Sequence, residues 1–284
     1  MKTHTKAFLF LLLTAVLWSF GGLLIKSVNW NPMAIAGMRS AISIPLLLLV
    51  VRKKHFTFSF SQIAGACFYS ATVILFVSAN KLTTAANAII LQYTAPIYVA
   101  IFGIWLLKEK VRLHDWIVIF VALLGICLFF IDKVSPGNML GNILSLISGV
   151  TFALMLVFLR MQKDGYPLSS VFIGNVITAL LMIPFMFHAF PKDCNSWIAL
   201  ILLGTLQLGL SYILYSIAIK NTTALEAIMV PLIEPILNPI WVLIFIGEKP
   251  TKWALLGGTA VICSLIIHSR ITMSQRTNSQ YIGV

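Results

Sequence analysis

Acidic residues are scarce in this chain: eight among 284, against twenty Lys and Arg, and charged residues of both signs make up only 10%. A water-soluble domain normally carries about 25% charged residues, so an ordinary soluble fold is excluded. Cysteine is nearly absent as well. Cys67, Cys127 and Cys263 fall in apolar runs and Cys194 stands alone, a spacing that fits neither a disulfide framework nor a metal site. The five histidines, at 4, 55, 114, 188 and 268, are dispersed. No His-Glu-x-x-His and no Gly-x-x-x-x-Gly-Lys-Ser/Thr occurs, so zinc hydrolysis and ATP hydrolysis find no residues to carry them. The expectation is a protein that is not an enzyme, with no catalytic residue, no metal and no cofactor.

What is abundant is hydrocarbon. Hydrophobic residues are 60% of the chain and the mean hydropathy is +0.98. Ten apolar runs are long enough to cross a hydrocarbon core of about 30 Å, which takes about 20 helical residues. They lie at 6–26, 32–51, 61–80, 84–106, 114–131, 139–160, 168–188, 197–219, 224–246 and 252–268. Barrel strands would alternate apolar and polar residues, and these runs do not. The predicted fold is therefore all-α, an integral membrane bundle of ten transmembrane helices. The first run is not followed by a small-x-small cleavage motif, so it reads as a span rather than a removable signal.

The basic surplus follows the membrane. With the N-terminus inside, the inner loops collect Lys2, Lys6, Arg52, Lys53, Lys54, Lys108, Lys110, Arg112, Arg160, Lys163, Lys220, Arg270 and Arg276. The outer side holds only Lys26, Lys81, Lys133, Lys192, Lys249 and Lys252. That bias predicts both termini in the cytoplasm of a plasma-membrane protein. It also makes the charge of +12 a topology signal and not a nucleic-acid footprint.

The chain repeats itself. A shift of 139 positions lays Thr83–Lys110 on Thr222–Lys249 without a gap. It matches Thr83-Thr84-Ala85, Ala88-Ile89, Pro96-Ile97, Ile101 and Glu109-Lys110 with Thr222-Thr223-Ala224, Ala227-Ile228, Pro235-Ile236, Ile240 and Glu248-Lys249. The same shift carries Pro45 to Pro184, Gly65 to Gly204 and Lys81 to Lys220. Five spans per copy, an odd number, make the two copies inverted across the membrane, as in alternating-access carriers. The expected division is 1–135 and 136–270 for the two five-helix repeats, with a cytoplasmic tail at 271–284.

Ionisable groups deep in a span are costly and ask for a reason. Two qualify. Arg39 is about the eighth residue of its span and Glu234 about the eleventh, so at 1.5 Å per residue their depths differ by only a few ångström. They can pair with each other, line a substrate path, or both. Glu234 sits among Pro231, Pro235 and Pro239, with Asn238 one turn on. Each proline removes a backbone donor and frees a carbonyl; such broken backbone in a membrane belongs beside protein or a polar cavity. The matching stretch of the first repeat offers Gln92, Tyr93 and Pro96. Trp18, Tyr69, Tyr98, Asn175, Gln207, Tyr212 and Tyr215 add polar-tipped side chains within spans, a lining suited to a small polar or amphipathic solute. Packing and proline-shaped kinks are the competing reading of each. Glu226 reads as a helix cap. Glu109 and Glu248 close their spans beside basic neighbours, Lys110 or Arg112 and Lys249 or Lys252, in a structural or gating role.

Two repeats of five spans, the run Asn31-Pro-Met-Ala-Ile-Ala-Gly-Met-Arg39, and Glu234-Pro235 through Gly247-Glu248 resemble the EamA-like branch of the drug/metabolite transporter superfamily, over residues 6–268. Lys108-Glu109 departs from the family's Gly before Glu. The resemblance implies a ten-helix inverted-repeat carrier whose central cavity is lined by the first four helices of each half, with spans five and ten peripheral. It implies an exporter or exchanger of amino acids or related small metabolites, partnered by the bilayer and its solute; the burial of Glu234 adds a proton as candidate coupling ion. Its alternative is a non-enzymatic lipid-handling or interaction subunit of the same fold. Substrate identity and oligomeric state are not encoded in any motif here. In a background without other cysteines, Gly137→Cys is expected to react with an impermeant thiol reagent from outside and His55→Cys only from inside; reaction of both from one side would sink the ten-span topology.

Overall fold

The computed structural model describes residues 2–129, 131, 138–187, 190–237 and 251–282. Every regular element among them is helical. Helix starts follow local chemistry. Asn31 accepts from the Met33 N–H at 2.8 Å and Pro32 opens α3, Pro32–Leu48, where a missing N–H costs nothing. Ser59 caps α4, Phe60–Leu82, and Thr84 caps α5, Ala85–Gln92. Ahead of these, the first span is split into α1, Lys2–Trp18, and α2, Gly21–Ser27.

The expected fourth span is split in the same way. After α5, the chain turns at Tyr93-Thr94 and restarts as α6, Ala95–Phe102, with Pro96 in its first turn, then widens into a π-helical turn at Gly103–Leu107. Lys108, where the family pattern has Gly, ends that turn in the left-handed region at φ 55°. Next come α7, Leu113–Phe129, α8, Met139–Met161, and α9, Pro167–Met186. The eighth span runs through α10, Cys194–Leu202, a π-helical stretch at Leu203–Leu210 and α11, Ser211–Ala218. In the ninth, α12 covers only Ala224–Met229, because Pro231 has no N–H to continue it and the chain tightens into a 3-10 turn at Val230–Ile233. The last helix, α13, spans Lys252–Ile282 and so runs on into the stretch expected to be a tail.

Among the described residues, six helical stretches are long and apolar enough to cross a membrane: Thr3–Ser27, Phe60–Leu82, Asn87–Leu107, Met139–Met161, Pro167–Met186 and Cys194–Ala218. Three shorter apolar ones accompany them, Pro32–Leu48, Leu113–Phe129 and Lys252–His268. The run expected at 224–246 is followed only to Leu237. Asn238, Pro239, Glu248 and Lys249 lie outside the described residues, as does position 137.

The main packing joins the two halves of the sequence. α4 lies on α8 and α9, α3 on α9 and the Leu203–Leu210 stretch, α1 on α11 and the 3-10 turn, and α7 on α13. Small residues set these distances. A Cβ on Gly174 of α9 would stand 2.6 Å from Tyr69 Cδ1 and 2.8 Å from Ala66 O of α4. On Gly125 of α7 it would meet Gly257 O at 2.9 Å and Val261 Cγ2 at 2.8 Å, both on α13, so a pair of glycines sets this close approach. At the same pair of helices His114 and His268, far apart in sequence, converge on Asp115 Oδ1 at 3.1 and 3.3 Å. The outward faces carry Leu13, Phe120, Leu181, Leu255 and Leu256, all at least half exposed, a surface for lipid rather than water.

Gly174→Val is expected to lose about 1–3 kcal/mol of stability by overpacking. Gly103→Ala, where a Cβ meets nothing within 4 Å, should be neutral or slightly stabilising. Thermal unfolding of the two purified variants in one detergent checks the contrast.

Candidate functional site

Four interruptions of regular helix converge on one place. The break after α1 leaves Trp18, the break after α5 leaves Gln92 and Tyr93, the π-helical stretch supplies Gln207 and Leu208, and the 3-10 turn delivers Glu234. With Arg39, Thr72, Phe152 and Tyr212 they line a cavity between the two halves. Its walls enclose about 440 Å³ including the mouth, of which about 40 Å³ admits the centre of a water-sized sphere. That is room for about three waters, so the cavity is small.

Both deep charges reach it, but they do not pair. Arg39 is 2% exposed. Its Nη1 donates to Gln207 Oε1 at 3.2 Å and its Nη2 to the Val73 carbonyl at 3.5 Å. Its buried Nε has no hydrogen-bond partner. Glu234 instead accepts a short hydrogen bond from the Tyr93 hydroxyl, which also approaches Pro231 O at 3.5 Å. The Arg39–Glu234 ion pair that equal depth allowed is therefore not formed. Depth fixes how far two groups lie along the membrane normal, not where their helices stand around the bundle.

The aromatic residues divide into lining and support. Trp18 lines the cavity and donates from Nε1 to Ser211 Oγ at 3.0 Å. Tyr212 also lines it, with its ring centroid 5.2 Å from that of Trp18 and 4.9 Å from that of Tyr69. Tyr215 stands behind them, stacked on Trp18 at 5.4 Å with its hydroxyl on Ala227 O at 3.0 Å, so it shapes the wall without facing the space. Tyr69 is likewise buried and held by Asn175 Nδ2 at 2.9 Å. Gln92 lines the cavity while its amide donates to Ser148 Oγ at 2.8 Å. Pro231 and Pro235 are buried beside Glu234, and Pro96 starts α6. Thr72 and Phe152 were not legible as site residues. A threonine and a phenylalanine are ordinary within apolar helices, and only the packing of α4 on α8 aims them inward.

One end of the bundle is closed by charge. Glu109 accepts from Arg160 Nε at 3.1 Å and from the backbone N–H of Ala224, the first residue of α12, at 2.9 Å. Arg160 also donates to Ile219 O and Lys220 O at 2.8 and 3.0 Å, the carbonyl end of α11. Glu109's partner is thus neither Lys110 nor Arg112 but a residue of the other half. Each contact suits the helix dipole, an anion at an N-terminus and a cation at a C-terminus. Beside them Glu226 completes a capping box with Thr223 and meets His4 Nε2 at 3.0 Å. Lys220 and Lys81, 139 residues apart, both reach carbonyls of the connecting segments. They donate to Gly165 O at 2.8 Å and Val28 O at 2.6 Å.

An all-helical apolar bundle with a polar internal cavity and no metal cluster among the described residues has the form of a membrane transporter. The chain belongs to the EamA-like transporter family, which matches it twice, at residues 5–131 and 139–270, within the drug/metabolite transporter superfamily. It is 25% identical over 288 residues to an uncharacterized transporter of Clostridium kluyveri, covering 93% of each chain. It is 24% identical to the uncharacterized transporter YwfM of Bacillus subtilis over 95% of each, and 25% identical to mouse solute carrier family 35 member G1 over 89% of this chain and 75% of that one. A solved crystal structure superposes with a TM-score of 0.81 at 16% identity, covering 94% of this chain and 98% of its own. It is a multi-pass membrane transporter.

If Glu109 and Arg160 lock the two halves together, their effects on stability are coupled. Glu109→Gln and Arg160→Met should each lower the melting temperature, and the double variant should fall short of the sum by about 1 kcal/mol. Simple additivity in a double-mutant cycle would show that the contact contributes nothing.

Proposed function

We propose that the protein is a secondary transporter that moves a small polar or amphipathic metabolite, such as an amino acid or related compound, across the plasma membrane by alternating access. In this reading ten spans form two inverted repeats, 1–135 and 136–270, with both termini cytoplasmic, and the carrier works as an exporter or exchanger. The observation that carries it is the cavity between the halves, which holds two deep, mutually unpaired charges in a small space.

The inverted repeat draws support from the packing. Assigning the elements to spans in order, the contact of span one with span eight has its counterpart in span six with span three, and that of two with eight in seven with three. Spans two with seven and five with ten are each their own counterpart. Caps and kinks keep the same spacing, Thr84 with Thr223 and Pro45 with Pro184. Two halves related this way can exchange which end of the cavity is closed. The Glu109–Arg160–Ala224 cluster then acts as the closed inner gate. Opening that end requires those contacts to part.

Glu234 is the coupling or substrate-binding group of this scheme. It is a carboxylate at membrane depth that is served by one hydroxyl, so a proton or a substrate ammonium can occupy it in turn. Gln92, Tyr93, Trp18 and Tyr212 hold the solute; Asn238, four residues after Glu234 in the sequence, belongs with them in this reading but lies outside the described residues. The proline-broken stretch from Pro231 supplies carbonyls. A second reading, a lipid-handling subunit, is favoured by an apolar cleft of about 780 Å³ between α1, the 3-10 turn and α13, lined by Phe8, Leu12, Ile233 and Leu265. Sealed vesicles separate the two, since only a carrier gives saturable, counterflow-competent solute movement. Glu234→Gln is expected to fold, being nearly isosteric, yet to lose concentrative transport. Retained counterflow with lost accumulation identifies proton coupling. Joint loss of binding and counterflow identifies an ammonium site, and wild-type accumulation and affinity would remove Glu234 from the mechanism.

A further inference from the structure

The cavity contains a cation that no anion among the described residues satisfies. Arg39 is buried in α3, and none of the described carboxylates lies within ion-pair distance of it. The acid on the same cavity, Glu234, is occupied by Tyr93. What the guanidinium does have is two neutral oxygens, one at 3.2 Å and one at the 3.5 Å limit, which leaves Nε without a partner. A guanidinium offers five N–H donors in a planar fork that fits a carboxylate with two parallel bonds. Held in a membrane interior with neutral acceptors only, it is costly to keep charged and unpaired. A purely structural arginine would be expected to bring its counter-ion with it.

The surroundings are built around that fork. Gln207 sits in the π-helical stretch Leu203–Leu210, a wide turn of the kind that recurs at functional sites. Gly204 of the same stretch lets α3 approach so closely that a Cβ there would be 2.8 Å from the Arg39 carbonyl. This approach brings Gln207 Oε1 onto the guanidinium and turns the donor side of its amide away, towards Gly21, where a Cβ would stand 3.1 Å from Nε2. Across the cavity the Tyr212 hydroxyl has no hydrogen-bond partner among the described residues. Guanidinium and phenol are the donors of this corner, and the two acceptors beside them, Gln207 Oε1 and Val73 O, are already engaged by the guanidinium, next to the indole of Trp18. Such a corner selects an acceptor-only group, and a negative one.

We propose that Arg39 is the anion-recognition residue of the central cavity, and that the transported solute carries a carboxylate which docks on its guanidinium while the solute's body packs against Trp18 and Tyr212. This rests on the transporter reading above and narrows it: neutral solutes and simple amines are excluded, whereas organic acids and zwitterions are admitted, the latter with their cationic end towards Glu234.

The test uses the full chain in lipid nanodiscs and three matched pairs of probes: benzoate, 3-phenylpropanoate and phenylalanine, each with its primary amide. Thermal unfolding should shift upward with at least one carboxylate, and its amide should need about tenfold more for the same shift, as expected for loss of a charge-assisted bond. Arg39→Met should erase that discrimination, and Arg39→Lys should keep the preference for the anion while weakening it. Without any probe, Arg39→Met should melt at or above the wild-type temperature, because an unpaired buried charge has been removed. A ligand-free Arg39→Met protein that melts well below wild type and is restored by Arg39→Lys makes the residue structural and overturns the proposal. So does equal stabilisation by acid and amide, or no shift with any carboxylate. Saturable vesicle flux of an amine that survives Arg39→Met would sink the anion site while leaving a transporter; absence of saturable flux for every solute tried would sink the transporter reading itself.

Discussion

Inside a hydrocarbon layer every backbone N–H and C=O must find its partner within the chain, and four of this molecule's departures from regular helix fall where it gains a polar interior. The breaks after Trp18 and Gln92, the wide turns of Leu203–Leu210 and the 3-10 turn before Glu234 all deliver side chains to the same cavity. Regular helix would direct those residues around the cylinder at fixed intervals. Irregular helix frees carbonyls and re-aims side chains, so the price of lost backbone bonds falls where a solute and buried side chains can offset it. Elsewhere α4, α8 and α9 run without such breaks and act as the frame.

That frame is interlocked rather than divided. Each half finds its main packing partners in the other, and close approaches at Gly174, Gly204 and Gly125 leave no slack for a large side chain. In the transport cycle proposed above, one half moves against the other by exchanging discrete contacts at the two ends, and the cluster of Glu109 with Arg160 and the α12 N-terminus is a contact of that type, held by dipole-aligned, charge-assisted bonds.

The charges within the cavity follow a different logic. Pairing Arg39 with Glu234 would have satisfied both and left nothing for a solute. Instead Tyr93 holds Glu234 and Gln207 holds Arg39, two neutral residues that orient the charged groups without neutralising them. A site of this kind leaves both charged groups short of partners, as the solute binding proposed above requires.

Much of this was legible in one dimension. Composition and run length fixed a helical membrane bundle, because hydrocarbon thickness sets how many residues a span requires. Glu226 announced a helix start by local electrostatics alone, and Pro231 announced a break because its missing N–H is a covalent fact. Arg39 and Glu234 stood out since charge at membrane depth is costly wherever the neighbours are. Partners were another matter. Tyr93 and Glu234 are 141 residues apart, Arg39 and Gln207 168, Glu109 and Arg160 51, and no local rule ranks Tyr93 over Arg39 as the ligand of Glu234, or Arg160 over Arg112 as the ligand of Glu109. Those choices depend on the rotation of each helix about its axis and on its place around the bundle. Both are set by how glycine and bulky residues mesh across the halves, and that only the tertiary structure decides.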